Sequence, residues 1–386
     1  MRTEPRQAVE PVGRLAGRTG AALAAVGMAV PEQVVTNAAI ADRLGVDEEW
    51  ITRRTGTSER HVAGPGQRLD QFAAQAARAA LAQGGVDPAD VDVVLVGTTS
   101  AEDMSPHAAP LVAADIGAHG AAAIDVSAAC TGFLSCLVMG AGMIESGRAR
   151  TVLAIGADLL TRYLDRDDPS SAMLFGDGAG AVLLTATAGA SRLGPAVLSS
   201  DGNRRELIRL ARDELLIRMD GPAVYRQAVR LMSEVTGQVV GAAGLALADI
   251  DLFVYHQANS RIIDAVGQRL HLDPARVVDV VGSFANTSAA SLPIALAAAQ
   301  RAGRLHDGDR VLLAAFGAGL VWGGVVATWG APELSGPGRD LAEPGEPDAE
   351  ALDPQRAGVH GGQPAVRGDH EQPVAVRGPG ERPGTH

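Results

Sequence analysis

From about residue 21 to 330 the chain alternates two patterns. Short runs of consecutive apolar residues, such as Val93 to Val96, Val152 to Ile155 and Val311 to Ala315, are separated by longer stretches with apolar residues at helical spacing. The runs read as strands and the stretches as helices, and their alternation predicts an α/β fold. The run ending at Val126 reads as a buried strand, the small residues after it as a tight turn, and Thr131 to Ser146 as the next helix. A second buried strand ends in Val254-Tyr255-His256. Phe284-Ala285-Asn286-Thr287-Ser288-Ala289-Ala290-Ser291 reads as a polar turn opening an Ala-rich helix. Residues 1–20 are polar without periodicity and read as a flexible leader. Residues 331–386 are rich in Gly, Pro and charge, and such a composition cannot bury enough apolar surface to offset its ordering entropy, so a disordered tail is expected.

An internal duplication is visible. Gly85-Val86-Asp87-Pro88-Ala89-Asp90-Val91-Asp92-Val93-Val94-Leu95-Val96 matches Gly244-Leu245-Ala246-Leu247-Ala248-Asp249-Ile250-Asp251-Leu252-Phe253-Val254-Tyr255 at an offset of 159 residues. Thr151 to Gly156 pairs with Arg310 to Ala315 at the same offset. Two similar halves are therefore expected, 21–190 and 191–330, with the site between them at the carboxyl ends of their strands.

Three residues suggest chemistry. Cys130 stands at a strand-to-helix turn, where unpaired N–H groups and the helix dipole favour a thiolate. A lone cysteine is more often structural, a lone strand-end histidine is more often a satisfied core residue, and a lone asparagine usually caps a helix. Cys130, His256 and Asn286 together, each expected at a strand end, are the parts that nucleophilic thioester chemistry needs.

Composition narrows the alternatives. The chain has 386 residues, of which 46% are hydrophobic, and every one of its 33 basic residues is arginine. Without lysine, Schiff-base catalysis and a Gly-Lys-Ser/Thr phosphate loop are excluded. The net charge of −12 argues against a nucleic-acid partner, although 10 acidic and 5 basic residues of 331–386 put −5 of it in the tail. Cys130 and Cys136, six residues apart on one expected helix, lie roughly 9 Å apart along its axis, too far for a disulfide. Cys136 reads as a core residue, and no Cys/His cluster has metal-ligand spacing. No apolar run reaches the roughly 20 residues that a membrane span needs. Ala21 to Val30 follows arginines like a secretory signal, but Gly27 interrupts it and Pro31 follows, so it reads as the first strand of a cytoplasmic protein. Gly176-Asp177-Gly178-Ala179-Gly180 precedes a strand instead of a helix, against a dinucleotide loop.

Around these residues the chain resembles the β-ketoacyl-acyl-carrier-protein synthase III family of the thiolase superfamily over about 21–330. Pro31 to Asn37, Trp50 to Gly56, Glu59-Arg60-His61, Phe175 to Ala181 and Ala315 to Leu320 carry the resemblance in order. Thiolases place a second cysteine in the C-terminal glycine turn, where this chain has Phe316-Gly317-Ala318-Gly319, and elongating ketosynthases use two histidines where it has His256 and Asn286. The resemblance implies a thiolase-like duplicated αβαβα layered fold and a homodimer without a cofactor. It also implies that Cys130 takes an acyl group from acyl-CoA and condenses it decarboxylatively with malonyl carrier protein. The backbone N–H groups of Cys130 and Ala318 would form the oxyanion hole. Trp50, Arg54 and Asn259 match positions that bind CoA, and Arg226, Arg261 and Arg269 match or neighbour positions that meet the acidic carrier protein.

Three departures stand out. Pro169 stands where an arginine for CoA is common, Ala285 where a glycine is usual before Asn286, and Ser105 where some members place a bulky residue reaching into the partner subunit's acyl pocket. Together with a short segment from Asp201 to Asp220, they point to a paralogue priming a specialised pathway with a larger starter. An acyltransferase on the same fold that forms no carbon–carbon bond, and a non-catalytic carrier-protein partner, are the competing readings.

Overall fold

The computed structural model describes residues 19–331, so all but the innermost ends of the expected leader and tail lie outside the described residues. Two five-stranded sheets organise them. The first runs in the order Thr19–Ala29, Asp177–Ala188, Thr151–Leu159, Val93–Gly97, Ala122–Val126. Its first two pairings are antiparallel and its last two parallel. The second runs Leu193–Ser200, Val321–Thr328, Arg310–Gly317, Leu252–Tyr255, Val277–Val278, with the same sequence of directions. Val93–Gly97 and Leu252–Tyr255 thus hold equivalent places, as do Thr151–Leu159 and Arg310–Gly317, the same segments that match at one offset in the sequence.

Two helices fill the space between the sheets because they are apolar on nearly every side. Helix Gly132–Glu145 contributes Phe133, Leu134, Leu137 and Ile144, and helix Ser291–Arg301 contributes Leu292, Leu296 and Ala299. They share a core with Leu95, Val152 and Val182 of the first sheet and Val254, Leu313 and Val325 of the second. Amphipathic helices cover the outer faces, Leu69–Gly84 and Ala108–Ile116 over the first sheet, Gly221–Ala242 and Ser260–Leu270 over the second. The result is a two-half α/β layered fold, helix on sheet on helix on sheet on helix.

Two local expectations are corrected. The strand before Cys130, Ala122–Val126, is an edge strand instead of a buried one, and Ile124 is 41% exposed. Its apolar run reads as buried because an edge left open for another surface has the same composition as a core strand. Asn286 does not follow a strand. It comes after a single helical turn, Val281–Phe284, and is held by an isolated bridge to Phe175.

The close fit of the buried helices to the sheets is set by glycine. A Cβ at Gly156 would lie 2.1 Å from the Ala289 carbonyl oxygen. Gly156→Ala should therefore destabilise the protein by about 2–3 kcal/mol in urea unfolding. Gly142→Ala, in an exposed helical position where the new Cβ meets nothing within 4 Å, should be neutral or slightly stabilising. Equal effects would contradict this account of the packing.

Candidate active site

Cys130 lies in the one-turn 3-10 segment Ala129–Thr131 that leads into helix Gly132–Glu145. Ala129, just before it, has φ of 46°, a left-handed conformation that costs a non-glycine residue about 1 kcal/mol or more. The turn abuts the end of strand Arg310–Gly317. A Cβ on Gly317 would come within 2.9 Å of the Cys130 nitrogen, so only glycine permits this approach. The backbone N–H groups of Cys130 itself and of Ala318 both bond toward the sulfur, and the Ser288 hydroxyl lies 3.5 Å from it.

These donors favour the thiolate, as the sequence position suggests, but burial outweighs them. With the nearby Asp158 carboxylate also opposing a negative sulfur, the Cys130 thiol is pushed up to about 11. Cys130, half-buried at the wall of a cavity, thus rests as a thiol whose ionised form has three donors waiting for it. Cys136 is fully buried and burial pushes its thiol up as well, in keeping with a core role.

His256 follows strand Leu252–Tyr255 and is 2% exposed. Its backbone N–H donates to Ala314 O at 2.8 Å, and Nδ1 lies 2.5 Å from Ser291 Oγ. Burial lowers the imidazole to about 4, so the ring is neutral at physiological pH. Gln257 is completely buried, donates to the carbonyls of Tyr255 and Val278 and accepts from Val280 N–H, which fixes the strand end that carries the histidine.

Asn286 is 6% exposed. Its backbone N–H donates to Leu174 O, its carbonyl accepts from Gly176 N–H, and its Oδ1 accepts from Ser288 N–H at 2.9 Å. That last bond orients the amide so that Nδ2 is left as a donor with no protein partner among the described residues. Ala285 takes φ of 55° and ψ of −157°, a conformation suited to the glycine it replaces.

Cys130, His256 and Asn286 line one open cavity of about 1640 Å³, together with Ala318, Trp50, Arg54, Asn259, Arg226 and Arg261. The Arg54 guanidinium sits 4.3 Å over the Trp50 ring, and that of Arg261 lies 5.5 Å from the Tyr225 ring. Asn259 caps helix Ser260–Leu270 and donates to Arg54 O at 2.9 Å, tying the Trp50 helix, Glu48–Thr55, to the second half. Arg269 is exposed near the far end of its helix and does not line the cavity. Nor does Ser105, although its neighbours Met104 and His107 do.

The sequence reading missed four residues. Ser288 and Ser291 were read only as part of a polar turn, yet each touches a candidate catalytic group. Arg60, quoted above only as part of a motif, is 1% exposed and donates to Val35 O, Asn37 Oδ1 and Met173 O, which anchors the segment that holds Asn286. Arg212, in the hairpin between Ile208–Leu210 and Ile217–Met219, is a further cation on the cavity wall. Only the hydroxyl spacing within Asn286 to Ser291 carried any hint of this.

The layered duplicated fold, with a cysteine at a strand-to-helix turn facing a histidine and an asparagine from the other half, defines a thiolase-like condensing enzyme. Family models described as 3-oxoacyl-[acyl-carrier-protein] synthase III match residues 124–202, and its C-terminal part residues 240–329. β-Ketoacyl-[acyl-carrier-protein] synthase III 2 of Streptomyces coelicolor is 43% identical over 82% of this chain and 96% of its own length. The synthase III of Symbiobacterium thermophilum is 41% identical over 79% and 97%. The crystal structure of the synthase III of Aquifex aeolicus aligns with a TM-score of 0.78 at 36% identity over 80% of this chain and all of that one. The priming β-ketosynthase of the R1128 polyketide pathway aligns with a TM-score of 0.78 at 33% identity over 83% and all of its chain. The chain belongs to the β-ketoacyl-acyl-carrier-protein synthase III family.

The Ser288 hydroxyl should matter most when the sulfur is charged. Ser288→Ala removes one donor to the thiolate, so the pH midpoint of Cys130 alkylation by iodoacetamide should move up and alkylation at pH 8 should slow about 3- to 10-fold. An unchanged profile would remove Ser288 from the account of the nucleophile.

Proposed function

We propose that this chain is a β-ketoacyl-acyl-carrier-protein synthase III that loads a starter acyl group from acyl-CoA onto Cys130 and condenses it with malonyl carrier protein. The observation that carries this reading is the single cavity lined by the Cys130 thiol, a neutral His256 and the unpartnered amide of Asn286.

In the first half-reaction the Cys130 thiol gives up its proton as its sulfur attacks the thioester carbonyl, and the Cys130 and Ala318 N–H groups hold the oxyanion. The bond to CoA then breaks, CoA taking up a proton and leaving as the thiol. In the second, the bond from the malonyl α-carbon to its carboxylate breaks, CO2 departs, and the electron pair forms an enolate. Hydrogen bonds from His256 and Asn286 stabilise its oxygen. The enolate carbon then attacks the acyl carbonyl and expels the Cys130 thiolate, which takes up a proton from solvent to restore the thiol, giving β-ketoacyl carrier protein. Plain acyl transfer would have no use for a fixed, unpartnered amide at Asn286, which favours condensation over the acyltransferase reading.

Trp50 and Arg54 are suited to the nucleotide end of CoA, and Asn259 to bracing them. No cofactor is assigned a role, because the substrates supply the chemistry. Arg226, Arg261 and the more distant Arg269 would meet the acidic carrier protein. A free-thiol nucleophile suits a reducing, cytoplasmic setting. Among the described residues no helix is long and apolar enough to cross a membrane. Ser105 does not line this chain's own cavity, but it stands where some family members place a bulky residue that reaches into the partner subunit's acyl pocket. A small side chain there supports a starter larger than acetyl and a role in priming a specialised pathway.

The open edge of strand Ala122–Val126, with Ile124 and Met139 about 40% exposed and Met104 77% exposed, supports a homodimer formed across it. Light scattering should give twice the chain mass, and Ile124→Arg should lower it. A monomeric wild type would refute the dimer.

Intact-protein mass spectrometry with a panel of acyl-CoAs should give an adduct on Cys130 that malonyl carrier protein discharges with release of CO2. Asn286→Asp should acylate normally and lose condensation by about 10²–10³-fold. A stable acyl-enzyme that ignores malonyl carrier protein would overturn the condensing role, and a variant that loses both steps would overturn the division of roles.

A further inference from the structure

Ser291 opens the buried helix Ser291–Arg301 and is 1% exposed. Its hydroxyl has two neighbours. The Gln257 N–H approaches Oγ at 3.4 Å and can only donate, and His256 Nδ1 lies at 2.5 Å. The hydroxyl hydrogen also needs an acceptor, since a buried hydroxyl that donates to nothing costs about 1–3 kcal/mol. Nδ1 is the one acceptor among these partners, and it can accept only when it carries no proton. The single proton of the neutral ring then sits on Nε2. That nitrogen has no protein partner among the described residues, and the histidine lines the cavity.

We propose that Ser291 is a positioning residue that selects the Nε2–H form of His256, making the histidine a hydrogen-bond donor toward the substrate and unable to take the Cys130 proton. The inference rests on the condensing reading for its meaning, but the tautomer itself is independent of any activity. Burial alone lowers the histidine and no charged side chain acts on it, although the cavity it shares with Cys130 is also lined by Glu102, Asp103, His107, Asp125 and several arginines. The ring therefore stays neutral and in one tautomer through the working pH range. Two consequences separate the half-reactions. Acylation of Cys130 should not depend on Ser291, whereas enolate formation, which needs the Nε2–H donor, should.

The first test is spectroscopic. Long-range ¹H–¹⁵N spectra of histidine-labelled protein, with His256 assigned by its loss in His256→Gln, should give a pyridine-like Nδ1 and a pyrrole-like Nε2 in the wild type. In Ser291→Ala the two signals should move toward each other or exchange. A protonated Nδ1 in the wild type overturns the proposal. The second test is kinetic. Ser291→Ala should lower kcat for CO2 release from malonyl carrier protein about 10- to 100-fold, leaving its KM and the rate of Cys130 acylation unchanged. Ser291→Thr, which restores the hydroxyl, should recover most of the loss. Undiminished decarboxylation in Ser291→Ala also overturns the proposal. Failure of the wild type to acylate or decarboxylate would instead strike the proposed function and leave the tautomer to the spectra.

Discussion

The Asp158 carboxylate, completely buried at the end of strand Thr151–Leu159, is the point on which the site depends. One oxygen accepts from the hydroxyls of Thr98, Thr99 and Ser100 and from the Thr99 N–H. The other accepts from the Ala289 N–H, across the interface between the halves. Ser100 Oγ in turn accepts from Leu159 N–H, which closes the network on itself. A buried carboxylate is tolerable only when its lone pairs are met, and each donor left over would itself cost about 1–3 kcal/mol. The first half therefore grips the turn from Asn286 to Ser291 through one side chain. The absence of a side chain at Gly156 lets that turn sit directly on the strand.

The same carboxylate helps to set the electrostatics. It opposes a charge on Cys130, burial does so more strongly, and burial also keeps His256 neutral. The resting site thus holds no thiolate–imidazolium pair. What it holds are donors that would meet negative charge as it develops in the proposed reaction: the Cys130 and Ala318 amides, the Ser288 hydroxyl, the Asn286 amide. In a low-dielectric pocket such fixed dipoles stabilise a developing charge more than water does, because they need not reorganise. Backbone strain marks the same places. Ala129, Ala285 and Ser288 all take φ near +50° without being glycine, and they flank or belong to the residues that contact the reacting atoms.

The fold was legible because it rests on repetition and periodicity. Val93–Val96 and Leu252–Tyr255 read as strands and as copies of each other, and the structure puts them in equivalent positions. Cys130, His256 and Asn286 were legible because each stands in an unusual local setting. The edge strand Ala122–Val126 was misread because composition does not record what an edge faces. The thiol's state was misread for a related reason: a helix N-terminus is visible in sequence, but the burial that overrides it and the Asp158 charge that adds to it come from segments remote in the chain. Pairwise tertiary contacts of that kind leave no period to read.

Asn286, Ser288, Ala289 and Ser291 fall within six residues, and each has a different partner: the substrate cavity, the nucleophile, the Asp158 clamp and the histidine. A single rigid turn therefore serves both half-reactions. Any change that moves its backbone must disturb acylation and decarboxylation together, whereas truncation of one side chain disturbs only the step its atom touches. The separation of the two steps thus rests on side-chain atoms, and their coordination rests on the backbone that Asp158 and Gly156 hold in place. This arrangement explains why the turn is fastened from both halves. In the proposed reaction acyl-Cys130 and the incoming enolate must meet within bonding distance, and the turn places Ser288, beside the sulfur, two residues from Asn286, a donor to the enolate.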